Sequence, residues 1–298
     1  MEQLPTIDAP KNNKINSPRT ARYKSMLRKL LENKLAAAAG VFILLLIILA
    51  VFAGTLSPYD PTEQNYADTL QGPSSAHWFG TDEIGRDILS RVIHGAQVSL
   101  QAGLISVGIA LVIGVPIGLI SGYYRGFLDE YVIMRFTDAM LSFPSLVLAL
   151  ALAAVLGAGL GNAMIAIGIV MTPNFIRLIR AEVLAHRERE YVEAAKASGL
   201  RDWRIIMFHI FPNTLAPIMV QATLAIASAI ISEASLSYLG LGTQPPTPSW
   251  GAMLSAGQGY LAEAPWIAIF PGIFIFLTVI SINLFGDGVR DMLDPKMK

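Results

Sequence analysis

The chain has 298 residues, of which 53% are hydrophobic and only 15% are charged, and its formal net charge is zero. A soluble globular domain carries about 25% charged residues, so this composition excludes an ordinary soluble protein and indicates a membrane protein. The zero net charge does not suggest a nucleic-acid partner. The absence of cysteine excludes disulfides, thiol catalysis and cysteine-ligated metals.

Six apolar segments are long enough to be considered as membrane spans, since a crossing needs about 20 mostly apolar residues. They are 35–56, 98–123, 136–156, 162–178, 214–236 and 265–285. The third and fourth are the least regular, because only 157–161 separates them and Asn174 lies inside the fourth. Backbone amides in lipid must bond within their own segment, so the pattern predicts an all-α membrane protein with six transmembrane helices.

The distribution of basic residues predicts the orientation. Eight Lys and Arg residues precede the first segment, whereas 57–97 contains two and 240–264 contains none. If both termini are cytoplasmic, 20 of the 22 basic residues lie on the cytoplasmic side. The first segment could also be a cleaved signal peptide ending near Val51 and Ala53, but the long polar stretch before it favours an uncleaved span.

These segments predict four regions. Residues 1–34 form a cytoplasmic tail whose first 20 residues are disordered, and 35–97 hold the first span and an external loop with an interfacial helix. Residues 98–286 form a five-helix core, and 287–298 form a second cytoplasmic tail.

The external loop contains a candidate gate. Apolar residues recur at helical spacing after Thr81, which predicts an amphipathic interfacial helix. Asp82 and Asp87 can pair there with Arg86 and Arg91. This predicted helix could act as a gate or as a landing surface for a binding protein. The alternative is that it only braces the second span.

A second external loop, Gln244–Trp250, contains three prolines and is therefore stiff. Trp250 suits the membrane–water boundary. Pro246 and Trp250 are candidates either for contact with a soluble delivery protein or for a structural clamp.

Ionisable and amide groups are costly in lipid, so each one within a span is a candidate functional or packing residue. Glu233, near the outer end of the fifth span, and Asn283 are candidates to line a path between the helices, although a helix–helix contact is favoured for each. Arg135 and Asp138 are three residues apart and are predicted to pair on one helix face.

The predicted cytoplasmic loop at 188–211 contains the stretch EYVEAAKASG, Glu190–Gly199. Its residues favour a short helix that stops at Gly199, and Asp202 is predicted to cap a second helix that ends where Pro212 begins the fifth span. The alanines make the first helix narrow, and Glu193 and Lys196 place charge at its edges. The pattern favours a helix that docks on another protein over a helix lying on the bilayer.

Glu193-Ala194-Ala195, followed by Gly199 and later by Pro212, resembles the EAA motif of ABC importer permeases. The chain departs from that motif at His209 and Phe211, where Ile and Leu are usual. Three further segments resemble the C-type permeases of dipeptide, oligopeptide and nickel importers: 77–91, 244–254 and 286–296.

The resemblance implies that this loop is a coupling helix seated in a cleft of an ATPase subunit. The residues that it assigns to coupling are Glu193, Ala194, Ala195 and Gly199, and the neighbouring Tyr191 and Lys196 are further candidates for coupling to the ATPase. It also implies a homologous second permease, two ATP-binding subunits and an extracytoplasmic binding protein, in a bacterial inner membrane. The chain itself would bind no cofactor, and ATP and Mg would be held by the ATPases.

No HExxH or GxxxxGK[ST] motif is present, so the sequence does not suggest an enzyme. A stand-alone secondary transporter would need ion-coupling carboxylates near the bilayer midplane, and an intramembrane enzyme would need a catalytic pair within the spans. The expected cargo is short peptides, with nickel or glutathione-like molecules as alternatives.

Overall fold

The computed structural model describes residues 33–293, and this part of the chain is helical with no named β-strand. The predicted N-terminal tail, apart from its last two residues, lies outside the described residues. The α-helices are α1 Lys34–Val51, α2 Ala53–Leu56, α3 Ile88–Tyr124, α4 Met134–Leu141, α5 Ser145–Leu156, α6 Leu160–Arg187, α7 Glu190–Ala197, α8 Asp202–Ile205, α9 Phe211–Tyr238, α10 Trp250–Gly257 and α11 Trp266–Leu293. Short π-helical turns at Leu128–Ile133 and Ile206–Ile210 and 3-10 turns at Tyr66–Asp68 and Gln258–Tyr260 complete the set.

Five helices among the described residues are long and apolar enough to cross a membrane, or up to six if a bent pair counts as one. They are α1, α3, α6, the continuous helix Asp202–Tyr238 and α11. The predicted first, second, fourth, fifth and sixth spans each match one of these helices. The last helix continues to Leu293, so the start of the predicted C-terminal tail is helical.

The third predicted span, 136–156, is wrong as a single helix. The helices Leu128–Leu141 and Ser145–Leu156 meet at an angle of 98°. The break falls at Pro144, which has no N–H to continue the preceding helix and which precedes the first residue of α5. Pro144 also restricts Phe143 to extended backbone, so the first helix must end before it.

The second span begins earlier than predicted and includes part of the expected interfacial helix. Helix α3 runs unbroken from Ile88 to Tyr124, so a separate amphipathic helix after Thr81 is a wrong prediction. Residues before Ile88 form a turn closed by a β-bridge between Thr81 and Asp87. Asp87 caps α3, because its carboxylate accepts from the Ser90 N–H at 2.8 Å.

Helices α3 and α6 pack closely along a stripe of small residues. The stripe has a glycine every fourth residue, at Gly114, Gly118 and Gly122. A Cβ added to Gly118 would lie 2.8 Å from the Ile179 Cβ, and its two neighbours would meet Phe175 and Val183 equally closely. The missing side chains therefore let the two backbones approach, as in other membrane helix pairs.

The bundle has two ends with different connections. We call the end that carries residues 57–87 and 239–265 the loop face, and the end that carries 125–127 and 188–201 the EAA face. On the loop face the Trp266 indole donates to the Thr81 carbonyl at 3.1 Å. On the EAA face the Tyr123 hydroxyl donates to Asp202 at 2.8 Å.

Candidate functional site

The EAA helix, α7, ends at a glycine as predicted. Gly199 has φ +75°, a left-handed conformation that residues with a side chain rarely adopt. Its N–H donates to the Lys196 carbonyl at 2.9 Å, and the Leu200 N–H donates to the Ala195 carbonyl at 3.2 Å. This pair of bonds is a Schellman motif, which satisfies the last carbonyls of the helix and turns the chain sharply.

Helix α7 presents one face to its own chain and the opposite face to solvent. Val192 and Ala195 are buried in the main hydrophobic core. The exposed face contains small and acidic residues, namely Glu190, Glu193, Ala194 and Ala197. Of the two alanines of the motif, Ala194 therefore belongs to the accessible surface and Ala195 to intrachain packing.

Tyr123, at the end of α3, connects the EAA helix to the bundle. Its hydroxyl donates to Asp202 at 2.8 Å, and its carbonyl accepts from the Arg187 guanidinium at 2.7 Å. The Lys196 ammonium lies 5.6 Å from the centroid of the Tyr123 ring. This role of Tyr123 is not predictable from the sequence, because its partners are distant along the chain.

Two details of the predicted loop differ from the structure. Asp202 is the first residue of its helix rather than the cap, since Arg201 precedes it and the Asp202 carboxylate binds Tyr123 instead. The second helix is also continuous with the fifth span, through a π-helical turn at Ile206–Ile210. Pro212 follows this turn and has no N–H to donate, which explains the wider winding there.

The Tyr191 side chain is partly exposed at the start of α7. Its hydroxyl lies 2.9 Å from the His186 Nδ1. Burial raises the pKa of the Tyr191 phenol above its usual value, so the group stays neutral at physiological pH. It therefore acts as a hydrogen-bonding side chain without charge.

The candidate gate residues of the loop face are internal. Asp82, Arg86 and Asp87 are all buried. The Arg86 guanidinium pairs with Asp82 at 2.6 Å, as predicted, whereas Asp87 bonds to the His77 ring at 2.9 Å. Arg91 approaches Asp82, at 3.6 Å, rather than Asp87. The geometry favours the alternative in which these charges brace the start of the second span.

Trp250 faces the protein interior rather than a lipid–water boundary. Its side chain is fully buried, and its indole N–H donates to the Val92 carbonyl at 2.9 Å. It packs on Gly95, where an added Cβ would come within 2.6 Å of the indole ring. The burial of Trp250 favours the structural clamp over contact with a delivery protein, and Pro246 in the same loop is exposed.

The two candidate path residues lie in different surroundings. Glu233 is fully buried and accepts from the Ser237 hydroxyl at 2.6 Å. Asn283 is half-buried on α11. The predicted Arg135–Asp138 pair is wrong, because Asp138 binds Arg177 of α6 at 2.6 Å.

In residues 33–293 no three His, Cys, Asp or Glu side chains form a group that could hold a metal ion. The EAA face thus has an exposed helix, and the loop face is braced by buried charges.

Residues 114–298 match the family model for the binding-protein-dependent transport system inner membrane component. Residues 22–73 match the N-terminal transmembrane domain of oligopeptide transport permease C. The chain belongs to this family of transport permeases. It is a multi-pass protein of the bacterial inner membrane and a permease subunit of an ABC importer.

Curated relatives extend over nearly the whole chain. The dipeptide transport system permease protein DppC of Alkalihalophilus pseudofirmus is 49% identical, over 93% of this chain and 90% of the relative. The glutathione transport system permease protein GsiD of Pectobacterium atrosepticum is 44% identical, over 99% of this chain and 97% of the relative. The GsiD protein of Escherichia coli O157:H7 is 47% identical, over 91% of this chain and 89% of the relative.

The fold is similar to that of a solved importer. A chain of the MetNI methionine ABC transporter, in an inward-facing conformation, superposes with a TM-score of 0.59 at 17% identity. The match covers 70% of this chain and 98% of that chain. The similarity in structure therefore persists where the sequences have diverged.

Proposed function

We propose that this permease carries short peptides and is driven by ATPase subunits that dock on α7. The observation that carries the proposal is the division of α7 into a buried face, with Val192 and Ala195, and an exposed face, with Glu193 and Ala194. An exposed helix with alanine at its centre lets a partner surface approach closely, and its acidic residues supply polar contacts at the edge.

The proposed topology has six crossings with both termini cytoplasmic. The bent pair starts next to Tyr123 on the EAA face and ends at Gly157–Gly159, where the Gly159 N–H donates to the Leu241 carbonyl of the loop face at 3.2 Å. A segment that starts at one face and ends at the other supports counting the pair as one broken span. The basic residues of the EAA face, Arg187, Lys196 and Arg201 among them, favour the cytoplasm for that face.

The proposed assembly contains a homologous second permease, two ATP-binding subunits that hold ATP and Mg, and an extracytoplasmic binding protein. In this assembly Tyr191, Lys196 and Gly199 shape and hold the docking helix, and Glu193 and Ala194 contact the ATPase. On the loop face Pro246 is the exposed candidate for contact with the binding protein, whereas Asp82, Arg86 and Asp87 hold the loop in shape.

The cargo proposal rests on the relatives. Their names give a dipeptide and glutathione as cargo, and glutathione is a tripeptide, so both are small peptides. We therefore infer di- and tripeptides as the substrate class of this permease.

A substitution on the exposed face of α7 tests the docking surface. Ala194→Leu adds bulk where no side chain of this chain is packed, so we expect the permease to fold normally and to lose most of its copurifying ATPase. Ala262→Leu, the same change at an exposed site of the loop face, is the matched control and should retain the ATPase. Equal ATPase recovery with both variants would contradict the proposed docking surface.

Uptake in a strain that lacks the gene tests the cargo. Complementation with the wild-type chain should restore uptake of labelled dipeptides or glutathione, and Ala194→Leu should not restore it. Restoration of nickel uptake alone would overturn the peptide cargo and leave the docking proposal intact.

A further inference from the structure

A carboxylate is buried in the membrane-spanning part of the chain without a basic partner. Glu233 of α9 has no solvent exposure. Its Oε1 accepts from the Ser237 hydroxyl at 2.6 Å and lies 3.4 Å from the Thr243 hydroxyl. Its Oε2 is buried and has no hydrogen-bond partner among the described residues.

The hydroxyl of Ser99, on α3, is a second buried oxygen that has no hydrogen-bond partner among residues 33–293. Ser99 lies one turn from Gly103, which meets Ile226 and Ile230 of α9, and one turn from Gly95, which meets Trp250. Because residues four apart share a helix face, Ser99 faces α9 at the level between these two contacts.

The hydroxyl of Thr278, on α11, is another buried oxygen that has no hydrogen-bond partner within the described range. It lies between Ile282, which packs with Ile230 of α9, and Ile275, which lines a pocket with Ala234. Thr278 is therefore placed at the same level of α9, one turn from each contact. The three unpartnered oxygens thus lie on three helices that pack against one another, at neighbouring levels along the bundle.

The short helix α10 packs against α9 next to Glu233. An added Cβ at Gly251 would overlap the Ala234 carbonyl, so the two backbones touch beside Glu233. The neighbouring Trp250 is fully buried against Gly95. Glu233, beside this contact, has no solvent exposure.

The charged and titratable groups nearby are already engaged. On α3 toward the loop face, Arg91 donates to the Pro61 carbonyl at 2.9 Å and His94 lies 3.1 Å from the Ser57 hydroxyl. Tyr238 of α9 donates to Gln258 at 2.6 Å. Helix α10 and residues 239–249 contain no charged residue, and the charged residues of α11 are at its opposite end.

An ionised carboxylate without a counter-charge is strongly destabilising in such surroundings, so Glu233 must be neutralised. One negative charge is balanced by one positive charge, which favours a monovalent cation. The two side chains that contact the Glu233 carboxylate, Ser237 and Thr243, present hydroxyl oxygens, and hard cations prefer oxygen ligands. Either a proton on Oε2 or a sodium ion meets these requirements.

We propose that Glu233, Ser237 and Thr243, with the hydroxyls of Ser99 and Thr278, form a buried site for one monovalent cation, a proton or a sodium ion. The site holds the loop-face segment that contains Thr243 against α9. It is separate from the docking helix, so it does not depend on the proposed function.

Thermal unfolding of the purified transporter in nanodiscs tests the site. The full complex is melted in sodium, potassium or choline chloride and from pH 6 to pH 9, as wild type and as Glu233→Gln. Glu263→Gln, which removes an exposed carboxylate of the loop face, is the matched control.

If sodium is the ligand, it raises the wild-type melting temperature by about 5 °C over choline, and Glu233→Gln abolishes the difference. If a proton is the ligand, sodium has no specific effect. Glu233→Gln, which is permanently neutral, is then already more stable than the wild type at pH 6, because Glu ionises in the unfolded chain at a lower pH, and its advantage grows as the pH rises until the folded carboxyl itself ionises. In both cases Glu263→Gln behaves as the wild type does.

Equal responses of the wild type and Glu233→Gln to sodium and to pH would overturn the proposal. If Glu233→Gln does not assemble, Ser99→Ala and Thr278→Val decide the question. Each removes one hydroxyl of the site, so each should weaken the sodium response or alter the pH dependence of melting. Unchanged responses in both variants would equally overturn it.

Discussion

Gly199 stands in open space, since an added Cβ would meet nothing within 4 Å. Its φ of +75° is nevertheless unfavourable for most side chains. The requirement for glycine at this residue is therefore conformational and not steric. Ala195, four residues earlier, is the reverse case, because its backbone is helical and its side chain is buried.

The Gly199 backbone predicts an ordered series of variants. Asn tolerates the left-handed conformation and Val does not, with a difference of about 1–2 kcal/mol. Gly199→Asn should keep most of the uptake activity, and Gly199→Val should lose most of it while reaching the membrane in normal amount. Similar activity of the two variants would mean that the turn after α7 does not matter for transport.

Tyr123 allows a second test at a single residue. Tyr123→Phe removes the hydroxyl that binds Asp202 and keeps the ring beneath Lys196. Loss of one hydrogen bond of about 1 kcal/mol should speed trypsin cleavage within 188–201 about fivefold. The neighbouring Tyr124, which is exposed, provides the control Tyr124→Phe, for which the cleavage rate should not change.

The helices are held together mainly by close packing of complementary surfaces, as the contact between α3 and α6 illustrates. Glycines at four-residue spacing on one helix face bulky residues at the same spacing on the other. In lipid there is no hydrophobic drive between helices, so close van der Waals packing and buried polar contacts must supply the stability. The Asp129–Arg180 ion pair, at 2.7 Å, ties the start of the bent pair to α6 in addition.

Two alanine substitutions in α3 test this packing. Gly118→Ala would place a Cβ 2.8 Å from Ile179, and we expect a loss of about 1–3 kcal/mol, seen as a lower melting temperature. Gly108→Ala meets nothing within 4 Å and should leave the melting temperature unchanged or slightly raised. A result in which both variants melt alike would show that the stripe does not limit the packing.

At the scale of the whole molecule, the two faces differ in construction. The loop face is held by buried charges and by the tryptophans 250 and 266. The EAA face has an exposed helix and many basic side chains. This asymmetry suits a protein that receives cargo on one side and is driven from the other.

Single cysteines test the topology directly, because the chain contains none. In intact spheroplasts an impermeant maleimide should label Gln64→Cys and Ala158→Cys. It should label Phe127→Cys and Ala197→Cys only after permeabilisation. All four positions are exposed, so accessibility reports the side of the membrane. Labelling of Ala158→Cys only after permeabilisation would mean that the bent pair is re-entrant.

Features that depend on neighbouring residues were predictable from the sequence, whereas contacts between side chains far apart along the chain were not. Five of the apolar segments and the glycine stop at Gly199 depend on neighbouring residues, and each was predicted. The burial of Trp250 and the pairing of Asp138 with Arg177 depend on residues far along the chain. Pro144 had a local signal, since a proline within a span permits a kink, but the sequence did not indicate that the bend would reach 98° and divide the run into two helices.

The connections of α7 have a mechanical consequence. Only residues 188–189 join it to α6, and only 198–201 join it to the helix that continues through α9. At about 3.5 Å per extended residue, with one turn already closed by the Schellman bonds, these links have almost no slack. A force that displaces α7 sideways is therefore transmitted to both α6 and the helix Asp202–Tyr238. The short links make α7 a stiff mechanical connection to these helices and not a flexible one.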